Sequence, residues 1–247
     1  MLERLSQLTT QWSQLARAHQ GDAAAQAELL ARYGAAVYRY ALATLSREDD
    51  AADFCQAFAV RFLRGDFRHA RPERGRFRDY LRTALARMLN ESLLERQRRE
   101  RLRPFESQCF NRSQETSGEF ESLWRQEVLD RAWHQLRLAD EPAGGRGHFV
   151  LRAKADEPIL SAEELARRVA ERDGGPPPSV STVRQWLHRA RERFADCLLD
   201  EIAVSIGTSN LDEVAEELAA LRLLPYCEAA LEKRRSERLA PLKSSGD

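Results

Sequence analysis

The 247-residue chain has few cysteines, no long apolar run and no excess of either charge. Cys55, Cys109, Cys197 and Cys227 stand far apart, with no CxxC pair. Nothing implies an oxidising compartment, so they are expected to be reduced and structural. The five histidines form no H-x3-C or H-E-x-x-H grouping, which leaves no zinc-ligand pattern. No apolar stretch approaches the roughly 20 residues of a membrane span, and nothing resembles a secretory signal. The expectation is a soluble cytoplasmic protein, in which the glycosylation-like Asn111-Arg-Ser113 carries no meaning. No nucleophile, base and acid occur at a recognisable spacing. Gly144-Gly145-Arg146-Gly147 follows no strand and reads as a loop rather than a phosphate cradle. An enzyme is not expected, nor a cofactor. A net charge of zero argues against coating nucleic acid through bulk positive charge, so any DNA contact must use local patches or a larger complex.

Apolar residues make up 43% of the chain, enough for real cores, and they recur at helical rather than strand spacing. The predicted fold is all-α: two helical domains joined by a linker, the second a helix-turn-helix resembling a winged helix without strands. A short helix spans Leu2 to Ala18. Asp22 caps the next, whose apolar face carries Leu29, Leu30, Tyr33, Val37 and Tyr40. Ser46 is expected to cap a third helix, with Ala51, Phe54, Cys55, Phe58 and Phe62 buried and Gly65 at its end. A polar loop over 66–75 leads to a long helix from Phe77, with Leu81, Ala84, Leu85 and Met88 inward and Thr83, Arg87, Asn90 and Leu94 outward. Its tail, Arg96 to Arg103, is strongly basic. Residues 104–118 lack periodicity and read as the linker. Helical spacing resumes with Phe120, Leu123, Trp124, Val128, Leu129, Ala132, Trp133 and Leu136. A short helix over Phe149 to Ala153 follows the glycine-rich break. Beyond Ile202 comes an acidic extension, with Leu211, Val214, Leu218 and Leu221 among carboxylates. It is expected to fray from Lys233.

Residues 161–194 have the pattern of a helix pair. Ser161 and Glu164 can form a capping box, with Leu160 and Leu165 as a hydrophobic staple. After Gly174-Gly175-Pro176-Pro177-Pro178, Val183, Leu187, Ala190 and Phe194 make one apolar stripe. Arg184, Gln185, His188, Arg189 and Arg191 lie off it, and such a face can present donors to a major groove. The same pattern also describes a solvated basic helix. On the third helix, Asp49, Asp50, Asp53 and Gln56 form an exposed acidic face. Complementarity to the helix dipole and a partner-binding face both account for it.

Asp50-Ala-Ala-Asp-Phe-Cys-Gln-Ala-Phe, Gly75-Arg-Phe-Arg-Asp-Tyr-Leu-Arg-Thr-Ala-Leu and Thr182-Val-Arg-Gln-Trp-Leu-His-Arg-Ala-Arg-Glu-Arg-Phe occur in this order. Together they resemble an RNA polymerase sigma factor of the extracytoplasmic-function (ECF) type, over about Asp22 to Ile202. The resemblance implies a domain over 22–103 that binds core polymerase and the minus-ten element. It also implies a linker over 104–118, a minus-thirty-five-reading domain over 119–202, and a C-terminal extension over 203–247. Asp50, Asp53, Gln56 and Phe58 fall in the polymerase-binding helix by this match. Arg82, Arg87, Asn90 and Glu91 fall on the helix that engages the unwound strand. Thr182, Arg184, Gln185, His188, Arg189 and Arg191 fall on the major-groove helix. Core RNA polymerase and promoter DNA are then the expected partners, with an anti-sigma factor a further candidate and no membrane involved. The acidic extension is a candidate regulatory element docking on the DNA-binding surface. The chain departs from the family in having Tyr80 for a usual tryptophan, Arg87 for a frequent asparagine and Trp186 for a small or polar residue. Its turn over 173–180 is also long. Trp186, beside Val183 and Ala190, is expected at the core edge. A free-standing helix-turn-helix repressor and a helical interaction protein with degenerate sigma domains are the alternatives.

Overall fold

The computed structural model describes residues 15, 17–67, 77–100 and 112–239, and among them there is no strand. Nine helices carry the description: α1 Ala23–Leu45, α2 Glu48–Leu63, α3 Phe77–Glu100, α4 Arg112–Asp140, α5 Arg146–Asp156, α6 Ala162–Asp173, α7 Val180–Ile206, α8 Leu211–Ala220 and α9 Glu228–Leu239. The fold is all-α. No described helix is long and apolar enough to cross a membrane. The chain divides into two compact units, Met1–Glu127 with Ala203–Asn210, and Val128–Ile202 with Leu211–Asp247.

In the first unit α1 and α2 pack as an adjacent pair, and apolar spacing decides which faces meet. Asp22 caps α1 by accepting the Ala25 N–H at 3.0 Å, and the Arg17 guanidinium holds that carboxylate in place. Ala25, Leu29, Tyr33, Ala36, Val37, Tyr40 and Ala41 are buried on α1, as are Ala51, Phe54, Phe58 and Phe62 on α2 and Leu81, Leu85, Met88 and Leu89 on α3. Aromatic contacts close the core. Tyr33 stacks on Trp124 at 5.5 Å, and Tyr40 meets Phe120 edge-on at 5.4 Å.

Ser46 does not cap α2. It ends α1 instead, in the left-handed region at φ 62, with its N–H bonded to the Leu42 carbonyl. The next helix opens after Arg47, which makes no side-chain cap, on Glu48, Asp49 and Asp50. Carboxylates beside the unsatisfied N–H groups give favourable dipole complementarity. Gly65 ends α2 as expected: at φ 78 it donates its N–H to the Phe62 carbonyl.

In the second unit, Leu136, Val150, Leu151, Leu160, Leu165, Ala166, Val169, Val183, Leu187 and Ala190 form one buried cluster drawn from α4 to α7. The Gly144–Gly147 turn joins α4 to α5 through two left-handed glycines, φ 80 and 64. Asp140 accepts the His148 N–H at 2.8 Å, capping α5, and a Cβ on Gly147 would stand 3.1 Å from that carboxylate. The short predicted helix over Phe149 to Ala153 is therefore longer, Arg146–Asp156, because this cap starts it earlier.

Other boundaries differ from the sequence expectation. Residues 112–118 of the predicted linker are the opening turns of α4, while 104–111 lie outside the described residues. The break between units falls at 127/128, inside α4. The leading helix up to Gln14 with Ala16, the loop over 68–75 and the end of the basic tail also lie outside the described residues. Leu211–Asp247 falls in the second unit together with Val128–Ile202. α9 does not fray at Lys233: it runs to Leu239, and Arg234 on it packs half-buried against α7.

Candidate functional site

The structure realises each local signal of the 161–194 segment. Ser161 accepts the Glu164 N–H at 3.2 Å while the Glu164 carboxylate accepts the Ser161 N–H at 2.7 Å. Bonds to its carboxylate from the Ser161 backbone N–H and from the Ser161 side chain hold the Glu164 carboxyl below the usual range. Leu160 and Leu165, the staple pair, are both buried in the cluster. On α7 the stripe Val183, Leu187 and Ala190 is buried, and Phe194 is half-buried against Trp133 at 4.3 Å. Trp186 packs half-buried at the core edge, as its place beside Val183 and Ala190 predicts.

The start of α7, left open by the three prolines, falls at Val180. Ser179 precedes it and accepts the Thr182 N–H at 3.1 Å, a side-chain cap on the first turn. No acidic residue occupies that turn.

The outward side of α7 carries Arg184, Gln185, His188, Arg189 and Arg191, all exposed, with Thr182 half-buried beside them. Arg184, Arg189 and Arg191 form no ion pair with any described residue. On the neighbouring α6, by contrast, Arg167, Arg168 and Arg172 each meet a carboxylate, Glu164, Glu157 and Asp173 respectively. His188 lies 3.7 Å from Glu192, one turn on. Three guanidiniums on one solvent face, with an amide and an imidazole between them, suit phosphate oxygens and base edges. With the described residues of the acidic extension in place, Arg184, Gln185, His188, Arg189 and Arg191 stay exposed. Arg234 of α9 instead binds Asp196 and Asp200, further along α7.

In the first unit, the α2 residues expected to meet a partner divide. Asp53 and Gln56 are exposed, and Asp50 is half-buried. Asp50 and Asp53 line a depression of about 460 Å³ with Glu95 and the apolar Leu45, Phe54, Ala57 and Leu93. An acidic rim beside apolar side chains can receive a basic amphipathic helix. Phe58 is not on that face. It is 5% exposed, with ring centroids 5.5 Å from Phe67 and 6.2 Å from Phe62. Its position four residues after Phe54 puts it on the inward stripe, so it supports the face from behind.

On α3, Arg87 and Asn90 are exposed, whereas the other two expected residues are engaged. Arg82 lies 3.5 Å from Asp79 and 3.6 Å from Glu121. Glu91 pairs with Arg61 of α2 at 2.7 Å, a contact between helices that sequence spacing does not reveal. Tyr80 meets Phe67 edge-on at 6.3 Å and donates to the Phe67 carbonyl at 3.4 Å. Burial raises its phenol pKa, which favours the neutral donor.

Among the described residues no cluster of histidine, cysteine and carboxylate can hold a metal ion. Burial pushes the Cys197 thiol up to about 11 and the Cys227 thiol up to about 12, so neither is a thiolate near neutral pH. No protein-family model matches the chain, and neither does any curated protein or solved structure.

Proposed function

We propose that the chain is a promoter-specificity subunit of RNA polymerase, of the extracytoplasmic-function sigma type. One observation carries the reading: α7 buries one stripe in the core and turns Arg184, Gln185, His188, Arg189 and Arg191 to solvent, with three arginines unpaired by any carboxylate among the described residues. An unpaired guanidinium gains little for the folded chain and much against a phosphate or guanine. In this reading α5 to α7 form a helix-turn-helix that reads the minus-thirty-five element through the first turns of α7. The depression beside Asp50 and Asp53 receives a basic helical surface of core polymerase. Arg87 and Asn90 of α3 face the unwound strand, while Glu91 and Arg82 act through their ion pairs. The zero net charge fits a subunit whose electrostatic grip on DNA comes from the polymerase it joins.

The test is reconstitution with core polymerase and run-off transcription on a genomic fragment library. Discrete start sites dependent on the chain are expected, and their absence refutes the proposal. Asp53→Arg should abolish co-purification with core polymerase without unfolding the chain. Undiminished co-purification would remove the depression from the interface.

A further inference from the structure

The connection between α6 and α7, residues 174–179, begins with two glycines and continues through three prolines. A helix-turn-helix ordinarily joins its helices by three or four residues, and that shortness fixes where the second helix starts. Gly174 sits at φ 69, and a Cβ at either Gly174 or Gly175 would meet no atom within 4 Å. The glycine part of the connection therefore packs on nothing that would orient α7, and only Ser179, at its end, bonds to the helix.

A chain of polar and aromatic contacts bridges the same gap from the side. Asp173, the last residue of α6, accepts from Arg146 at 2.8 Å through one carboxylate oxygen and from Arg172 at 2.8 Å through the other. Arg172 also donates to the Gly144 carbonyl at 2.7 Å and lies 4.7 Å over the Phe149 ring. Arg146, at the start of α5, places its guanidinium 5.6 Å from the centre of the Trp186 ring. Trp186 stands in the second turn of α7, next to Gln185 and three residues before Arg189. The end of α6, the start of α5 and the second turn of α7 are thus tied through one carboxylate. The bonds from Arg146 and Arg172 hold the Asp173 carboxyl below its usual range, so it stays charged at neutral pH.

We propose that Asp173, Arg146 and Trp186 are positioning residues that set the rotation and start of α7, doing what a short turn does elsewhere. The inference rests on the DNA-reading role proposed for α7 and names the residues on which its base specificity depends. None of the three needs to touch DNA. A cation over an indole face is directional, and a small rotation of α7 about its axis moves Arg184, Gln185 and Arg189 off the base edges they reach. Contacts to phosphates tolerate such a rotation better than paired bonds to bases do.

Two measurements on the full chain test it. The first is amide hydrogen exchange without DNA, comparing Arg146→Ala and Asp173→Asn with the parent. Amides of residues 183–188 should exchange about tenfold faster in both variants, with those of residues 165–169 on α6 unchanged. Unchanged exchange in α7 overturns the proposal whatever happens with DNA. The second uses holoenzyme reconstituted with core polymerase and duplexes enriched by the parent from a library randomised upstream of the start site. The preference for enriched over unselected duplexes should fall about tenfold in Arg146→Ala, with affinity for unselected duplex within about twofold of the parent. Trp186→Phe keeps an aromatic face and should retain the preference, while Trp186→Leu should lose it. Faster exchange with an intact preference overturns the specificity role. If the parent itself enriches no sequence, the promoter reading fails and the specificity role falls with it. The exchange result then still shows whether the contact orients α7.

Discussion

Arg234→Ala tests whether the C-terminal extension is a structural part of the second unit or a removable regulator. Arg234 lies on α9 with 11% of its side chain exposed, and its guanidinium makes four hydrogen bonds to α7. Nε and Nη2 reach Asp196 Oδ1 at 3.1 and 2.9 Å, Nη2 reaches the Asp196 carbonyl at 3.1 Å, and Nη1 reaches Asp200 Oδ1 at 2.7 Å. Two regimes bracket the magnitude. Exposed ion pairs contribute about 0.2–1 kcal/mol, whereas removing one partner of a buried pair costs about 3–5 kcal/mol. The Asp200 carboxylate is 52% exposed and belongs near the lower limit; Asp196, at 28%, lies between the two. Truncation also strips the aliphatic stem from beside buried neighbours. The sum is a loss of about 2 kcal/mol, read by urea unfolding of the full chain. Arg234→Lys keeps a charge without the planar fork and should fall between parent and alanine. A loss under about 0.5 kcal/mol would mean that solvent screens the contacts and that α9 is held by its apolar side alone. Raised transcription from Arg234→Ala holoenzyme would mean that the extension masks the reading face, against the exposure of Arg184, Arg189 and Arg191.

Phe58→Ala should destabilise the first unit by about 3–5 kcal/mol in calorimetry, because it opens a cavity among Phe62 and Phe67. Gln56→Ala, on the exposed side of the same helix, should leave stability within about 0.5 kcal/mol. Equal, small effects would place Phe58 on the surface instead. Arg184→Ala should lower preference at one upstream base position by about 1–3 kcal/mol, measured by selection with holoenzyme. An equal loss on every sequence would make Arg184 a phosphate contact. Acid should loosen the second unit in a defined direction. The bond from Arg168 depresses the Glu157 carboxyl, and the bonds from Arg146 and Arg172 depress that of Asp173. Their stabilisation is complete above the unfolded carboxylate value of about 4 and disappears as pH falls through the lower folded values. Melting temperature should hold from pH 7 to about 5 and drop below about 4, less steeply in Glu157→Gln with Asp173→Asn. An unaltered acid profile in that double variant would show that the two pairs carry no proton linkage.

Sequence by itself determined the helical class, the inward stripes and several termini. These features are local: spacing of three and four residues selects a face, and a Ser161–Glu164 or Asp22 cap needs only its own helix. For the same reason it placed Phe58 on the buried stripe of α2 even while the family match grouped it with the partner-facing Asp53. Tertiary structure decided what depends on distant residues. The short predicted α5 lengthened because Asp140 reached across the glycine turn. Glu91 was claimed by Arg61 on another helix. The extension, which composition marked only as acidic and frayed at its end, was anchored because Arg234 found two aspartates one turn apart on α7. The reading face lies between these cases. Its arginines were legible from spacing, but the start and rotation of α7 were not, since a proline-rich connection fixes neither. That was left to Ser179, to the core, and to Asp173 and Arg146 against Trp186, whose pairing no sequence period encodes.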